Sequence, residues 1–221
     1  MVSPELNQAI LYHEALAHDL FDALKNKTHD GIGITRASYG PGEQIARDIM
    51  ADYGQNLGLE IDDDPAGNVY MTLPGKVRSA APVVIGSHLD SVAQGGNFDG
   101  AAGIVSGLVA CAGLIKAGVT PARDVRVMGI RAEESAWFGV SYIGSRSALG
   151  TLPRGTLDEA KRVDTGQSLA DHMADWGCDP SALRAGAIYL PPNSLHAYIE
   201  VHIEQGPILE EAQMPVGIVT G

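Results

Sequence analysis

Cysteine is scarce in these 221 residues. Cys111 and Cys178 stand far apart and in no Cys-x-x-Cys pair, which excludes a disulfide framework and a thiolate metal site. Basic residues are also few: 15 Lys and Arg against 27 Asp and Glu, for a net charge of −12. That balance argues against nucleic acid as a partner, because phosphate binding needs clustered Lys and Arg. No apolar run approaches the ~20 residues of a membrane span. The opening Met1-Val2-Ser3-Pro4-Glu5-Leu6 has no basic region followed by an apolar one, so no secretory signal is read there and the cytoplasm is the default location. Internal repeats and low-complexity segments are absent as well.

What remains is the composition of a globular protein, 45% hydrophobic and 19% charged with mean hydropathy near zero, long enough to bury a full core. The chain is organised around residues 83–104. Val83-Val84-Ile85 reads as a buried strand. It stops at Gly86, and His88 and Asp90 follow at once, then a Gly95-Gly96 loop, Asp99, and a helix from about Gly100. A strand that ends in His and Asp and delivers another Asp at a helix start belongs at the carboxyl edge of an open α/β sheet, where ligands bind. His88 and Asp90, two apart on extended chain, point to the same side. One can hold a metal while the other orients the imidazole.

The remaining elements follow from periodicity and turn residues. Residues 4–25 carry Leu6, Ile10, Leu16, Leu20, Phe21 and Leu24 at helical spacing, and 42–57 carry Ile45, Ile49, Met50 and Tyr53. His13 and His18, five apart on the first helix, read as surface or packing residues. Leu59-Glu60-Ile61 and Val69-Tyr70-Met71 read as strands around a turn at 63–68. Its Asp62-Asp63-Asp64 lacks EF-hand spacing and reads as solvated. An Ala/Gly-rich helix to about Ala117 precedes a strand over Asp124–Ile130; this strand–helix–strand unit implies a right-handed crossover and a mainly parallel sheet. A short helix is expected within 137–147, patchy helix over 152–190, a strand from Leu195 to His202, and the start of another at Val216–Gly221. The expected fold class is α/β, a mainly parallel or mixed sheet with helices on both faces.

Three strand ends thus deliver polar groups to one edge: His88 with Asp99, then Glu133-Glu134, then His202. A Glu-Glu pair alone is a solvated turn more often than a site. Here its place at the same sheet edge changes the reading. Imidazole plus carboxylate without thiolate suits Zn²⁺, Mn²⁺, Co²⁺ or Ni²⁺ in a hydrolytic site. A carboxylate can bridge two ions ~3.5–4 Å apart, and a free carboxylate beside their water can act as general base.

The strings Gly86-Ser87-His88-Leu89-Asp90-Ser91-Val92, Gly95-Gly96-Asn97-Phe98-Asp99-Gly100, Glu133-Glu134 and His202-Ile203-Glu204-Gln205-Gly206-Pro207 resemble the M20 metallopeptidase superfamily. Within it the likeness is to the amidase branch of N-carbamoyl-L-amino-acid hydrolases, β-ureidopropionase and allantoate amidohydrolase. Gly33-Ile34-Thr35-Arg36 and Ala66-Gly67-Asn68-Val69 also fit that branch. The resemblance implies two divalent metal ions, Zn²⁺ first among them, with His88 and His202 on one, Asp99 bridging and Glu134 on the second. It further implies Glu133 as general base, Asp90 as the group orienting His88, and Gln205, weakly, as a substrate contact. The implied reaction is hydrolysis of a linear C–N bond in a small carbamoyl, ureido or other amide substrate by metal-activated water. Full-length members of the branch are expected to be homodimers.

The branch usually follows its Glu-Glu with Gly-x-Arg-Phe, whereas this chain has Ser135-Ala136-Trp137-Phe138, a departure that bears on substrate class. Members of the branch also run to about double this length. The expectation is therefore that residues 1–215 form the N-terminal part of a catalytic domain and 216–221 the start of a lid and dimerisation domain, in a truncated chain inactive or weak on its own. Two alternatives stand beside it: an M20 peptidase or aminoacylase, and a non-catalytic metal-binding remnant.

Overall fold

The computed structural model describes residues 4–220. Met1–Ser3 and Gly221 lie outside it, and with them part of the N-terminal stretch and the last residue of the strand expected at 216–221.

Five strands form one mixed sheet: β1 (Glu60–Asp63), β2 (Val69–Leu73), β3 (Val83–His88), β4 (Val125–Ile130) and β5 (Ala197–Ile199), in the order β1-β2-β4-β3-β5. β3 pairs parallel with β4 and with β5, while β2 runs antiparallel to both β1 and β4. The three parallel strands therefore bring their carboxyl ends to one edge. His88 is opposite Ile130 in that register.

Strand alternation divides the core between the two faces. Val69, Met71 and Val127 share a core with residues of α2 (Glu14–Thr28), α3 (Pro41–Asn56) and α4 (Ala101–Lys116), while α1 (Pro4–Tyr12) packs on α4. Tyr70, Val84, Met128 and Ile130 point to the opposite face, where Ala148 of α5 (Ile143–Ala148) and Leu190 cover them. A further cluster around Tyr39, Ala66, Ala132, Phe138 and Ile143 takes in Leu157 of α6 (Thr156–Glu159) and Leu169, Ala170 and Met173 of α7 (Leu169–Asp175). The expected α/β architecture with helices on both faces is what forms.

The small residues of α4 let it lie close on the sheet. A Cβ on Gly107 would come within 2.9 Å of Val127, and one on Gly103 within 2.6 Å of Ser87. That proximity sets the start of α4, and Asp99 just before it, against the end of β3.

Four sequence expectations are corrected. The helix expected over 4–25 is two helices that break at His13 and continue to Thr28. At the break the backbone tightens to i→i+3 bonds, His13 N–H to the Ile10 carbonyl at 2.9 Å and Leu16 N–H to the His13 carbonyl at 3.0 Å. The strand expected over 195–202 shortens to Ala197–Ile199 at the sheet's exposed edge, where only one neighbour holds it. Residues 216–220 form no strand. The turn at 63–68 is not simply solvated: Asp64 is buried and accepts hydrogen bonds from the Ala66 and Asn68 N–H groups, the Asn68 amide and the Tyr70 hydroxyl.

Candidate metal centre

His88 ends β3, and its ring lies buried at the parallel strands' carboxyl edge. Its Nδ1 meets the main-chain carbonyl of Asp90 at 2.9 Å. His202, beyond β5, meets the carbonyl of Ile203 with its own Nδ1 at 2.8 Å. A carbonyl oxygen only accepts, so both Nδ1 atoms carry the hydrogen, and in the neutral form of each ring the lone pair is on Nε2. Those two Nε2 atoms face each other at 3.0 Å. Asp99 Oδ1 lies 3.5 Å from the first and 3.3 Å from the second. Two converging lone pairs beside a carboxylate repel unless a proton or a cation lies among them. The donor set, two imidazole nitrogens and one carboxylate oxygen within 4.8 Å of one another, fits a zinc-type ion. Among the described residues it is the one His/Cys/Asp/Glu group that converges in this way.

The electrostatics agree. Burial opposes charging the His88 ring, but its hydrogen bonds to Asp90 and Asp99 outweigh that and lift it to about 10. The His88 contact, opposed by partial burial and aided by Gln205, holds Asp99 below the ordinary carboxylate range. This is an environment built for a positive charge.

Gln205 donates its amide to both oxygens of Asp99, at 3.0 and 2.9 Å. It lines the same cavity as His88 and His202, so the residue expected as a substrate contact also steadies a carboxylate. Asp90 reaches His88 chiefly through its carbonyl, its carboxylate being 3.5 Å from Nδ1. That carboxylate instead takes the Ser38 hydroxyl at 2.6 Å and the N–H groups of Glu133 and Glu134 at 3.0 and 3.1 Å. It thereby ties the β3 arm of the site to the arm beyond β4.

Glu133 and Glu134 line a cavity of about 600 Å³ with His88 and His202. The Glu133 carboxylate is held by Ser145, through its N–H at 2.8 Å and its hydroxyl at 2.9 Å. Burial, countered by those two bonds, pushes Glu133 up to about 7, the range a general base at neutral pH requires. Glu134 shares the cavity but stands outside the His88–Asp99–His202 group. The cavity's remaining wall includes Met128, Leu149, Leu190, Leu195 and Tyr198.

Residues 68–159 match the family model of Peptidase family M28, a span that holds His88, Asp99 and the Glu pair but stops short of His202. An N-carbamoyl-L-amino acid amidohydrolase of Geobacillus stearothermophilus is 42% identical over 189 residues, 86% of this chain and 45% of that protein. Allantoate deiminase 1 of Glycine max is 32% identical over 220 residues, 98% of this chain and 44% of its own length. A crystal structure of a hydantoinase/carbamoylase family amidase from Burkholderia ambifaria superposes with a TM-score of 0.79 at 31% identity, covering 93% of this chain and 49% of that one. The chain belongs to the hydantoinase/carbamoylase amidase family. It spans about half the length of the relatives it matches.

Several residues that build this amidase-family site carry no motif that reveals them. Arg36, wholly buried, donates to the carbonyls of Leu89 and Asp99 at 2.7 and 2.9 Å, closing the loop between His88 and Asp99. Its string Gly33-Ile34-Thr35-Arg36 marks the family, but nothing in the string says what the guanidinium holds. Glu43, also wholly buried, accepts from the Ala132 and Tyr39 N–H groups and from Arg131 Nε. It secures Ala132 in a left-handed conformation, φ 53°, at the turn into the Glu pair. Ser38 and Ser145 stand in no recognised motif, and only the folded chain brings them to the carboxylates.

Proposed function

We propose that this chain carries the metal-binding and proton-transfer part of a hydrolase that cuts linear C–N bonds in small carbamoyl, ureido or related amide substrates, N-carbamoyl-amino acids or allantoate-type compounds first. The observation that carries the reading is the convergence of His88, Asp99 and His202 in front of a cavity that also holds the Glu133 carboxylate.

In this reading His88, Asp99 and His202 hold one divalent cation, Zn²⁺ first among Zn²⁺, Mn²⁺, Co²⁺ and Ni²⁺, and Asp99 with Glu134 would serve a second. A cation bound there supplies Lewis-acid polarisation of the scissile carbonyl and an acidified water. Glu133 takes the proton from the attacking water and returns it to the departing nitrogen as the C–N bond breaks. From an N-carbamoyl-amino acid the products are ammonia, carbon dioxide and the amino acid. Asp90 keeps the base in register with His88 through the backbone of 133 and 134, and Gln205 steadies Asp99. Residues 1–215 are then the N-terminal part of a catalytic domain, with a lid segment starting at 216–221, and homodimerisation is proposed for the longer proteins of the family.

The likeness of residues 68–159 to a peptidase family favours a second reading, cleavage of a peptide or acyl amide. Parallel assays of N-carbamoyl-amino acid, allantoate, N-acyl-amino acid and dipeptide with Zn²⁺ decide between them. Calorimetric Zn²⁺ titration of wild type and His202→Ala tests the centre itself. Equal affinity in the two would overturn the assignment.

A further inference from the structure

Ser145 is the second residue of the site's proton-transfer apparatus by its position in the chain, three residues after Tyr142, where the loop leaving Glu133 returns. That loop is closed at its base: Tyr142 N–H donates to the Glu133 carbonyl at 2.9 Å and Ile143 N–H to the Ala132 carbonyl at 3.0 Å. Tyr142 lies in the left-handed region, φ 64°, which turns the chain so that α5 begins with Ser145 N–H and Oγ both directed at Glu133. The N–H meets Oε1 and the hydroxyl meets Oε2. Two donors from one residue, one to each oxygen, fix the plane of the carboxylate as well as its place. Each oxygen keeps a second lone pair for water or substrate.

The hydroxyl's other neighbour, the Tyr142 carbonyl oxygen, is 3.4 Å away, outside the ordinary O–H···O range, so Glu133 Oε2 at 2.9 Å is the acceptor it serves.

We infer that Ser145 is a positioning residue for Glu133: its N–H and hydroxyl hold the two carboxylate oxygens in one plane at the wall of the cavity that His88 and His202 also line. The inference rests on the role of Glu133 given above. Ala at 145 keeps the N–H and removes the hydroxyl's hold on Oε2; Thr restores the hydroxyl.

The test compares wild type, Ser145→Ala, Ser145→Thr and Glu133→Gln, each with Zn²⁺, in hydrolysis of an N-carbamoyl-amino acid, with Zn²⁺ affinity measured by calorimetry. The carboxyl ¹³C spectrum of glutamate-labelled protein is recorded alongside, the Glu133 signal being assigned by its loss in Glu133→Gln. Ser145→Ala should lower kcat roughly 10- to 100-fold, the worth of a hydrogen bond to a charged group, with KM and Zn²⁺ affinity within about two-fold of wild type. The Glu133 signal should shift or broaden in Ser145→Ala and return in Ser145→Thr. A wild-type kcat with an unmoved Glu133 signal in Ser145→Ala overturns the inference, as does a Thr variant no better than Ala. If wild type cleaves none of the substrate, kcat gives no readout and the ¹³C comparison alone decides, an unmoved Glu133 signal in Ser145→Ala overturning the inference.

Discussion

His88 and His202 meet Nε2 to Nε2 across 3.0 Å, each with its Nδ1 committed to a main-chain carbonyl. The backbone thus chooses the tautomer of both rings and leaves two lone pairs aimed at one point. A ligand that binds only the folded state stabilises it, by about 2.7 kcal/mol at 100 times Kd. Zn²⁺ should therefore raise the melting temperature of wild type, and a chelator should reverse the rise. His88→Ala and His202→Ala should each abolish the shift. A shift that survives both substitutions would place the ion elsewhere.

Glu43 and Arg131 form a second test, of the support beneath the Glu pair. Their side chains are almost wholly buried, with Arg131 Nε 2.8 Å from Glu43 Oε2. Removing one partner of a buried pair leaves the other charge without compensation, at a cost of about 3–5 kcal/mol. Glu43→Ala should lower the unfolding free energy in urea by about that amount. The double variant Glu43→Gln with Arg131→Met should cost less than the two single changes added together. Additive losses would show that the two side chains are not coupled.

Much of this was readable from residue patterns. The alternation of Val69, Met71 and Val127 against Tyr70, Val84 and Met128, and the crossover helix between β3 and β4, follow from periodicity, as does the shared edge that brings His88, Asp99 and His202 together. Glu43, Ser38 and Ser145 were not readable, because a polar residue on a helix or in a loop looks the same whether it meets solvent or a buried backbone N–H. The exposed end of β5 was misjudged for the opposite reason. Tyr198-Ile199-Glu200-Val201 has strand-like residues, yet pairing needs neighbours, and β5 pairs with β3 alone.

Stability against pH should have a particular sign in the metal-free protein. Glu133 is pushed from 4.5 to about 7 by burial, so between those values the folded state holds a proton that the unfolded state has released. Stability therefore falls as pH rises from about 4.5 to 7, by up to roughly 3 kcal/mol. His88, raised from 6.5 to about 10 by its Asp90 and Asp99 hydrogen bonds against the pull of burial, contributes stability that is full below 6.5 and lost as pH climbs toward 10. Both windows slope downward. Urea titrations across pH should show Glu133→Gln flattening the lower window and His88→Asn the upper. Stability rising from pH 4.5 to 7 in wild type would contradict the assignment for Glu133.

Gly100 makes the strictest prediction about the centre's geometry. It precedes α4 with φ 66°, a conformation that costs an L-residue roughly 1–2 kcal/mol. Space is also lacking, since a Cβ there would fall 2.5 Å from the His88 carbonyl oxygen and 2.6 Å from its ring. The obstacle is the imidazole proposed to hold the metal, whose Nδ1 is already held by Asp90, so the ring cannot yield without leaving its partner Nε2. Gly100→Ala should therefore lose Zn²⁺ affinity by at least about ten-fold, the equivalent of 1.4 kcal/mol, beyond its loss of stability. Gly118, also at positive φ but with open space around it, provides the control: Gly118→Ala should lose stability alone. Calorimetric titration of both variants separates backbone strain, common to the two, from displacement of His88, which only Gly100→Ala produces.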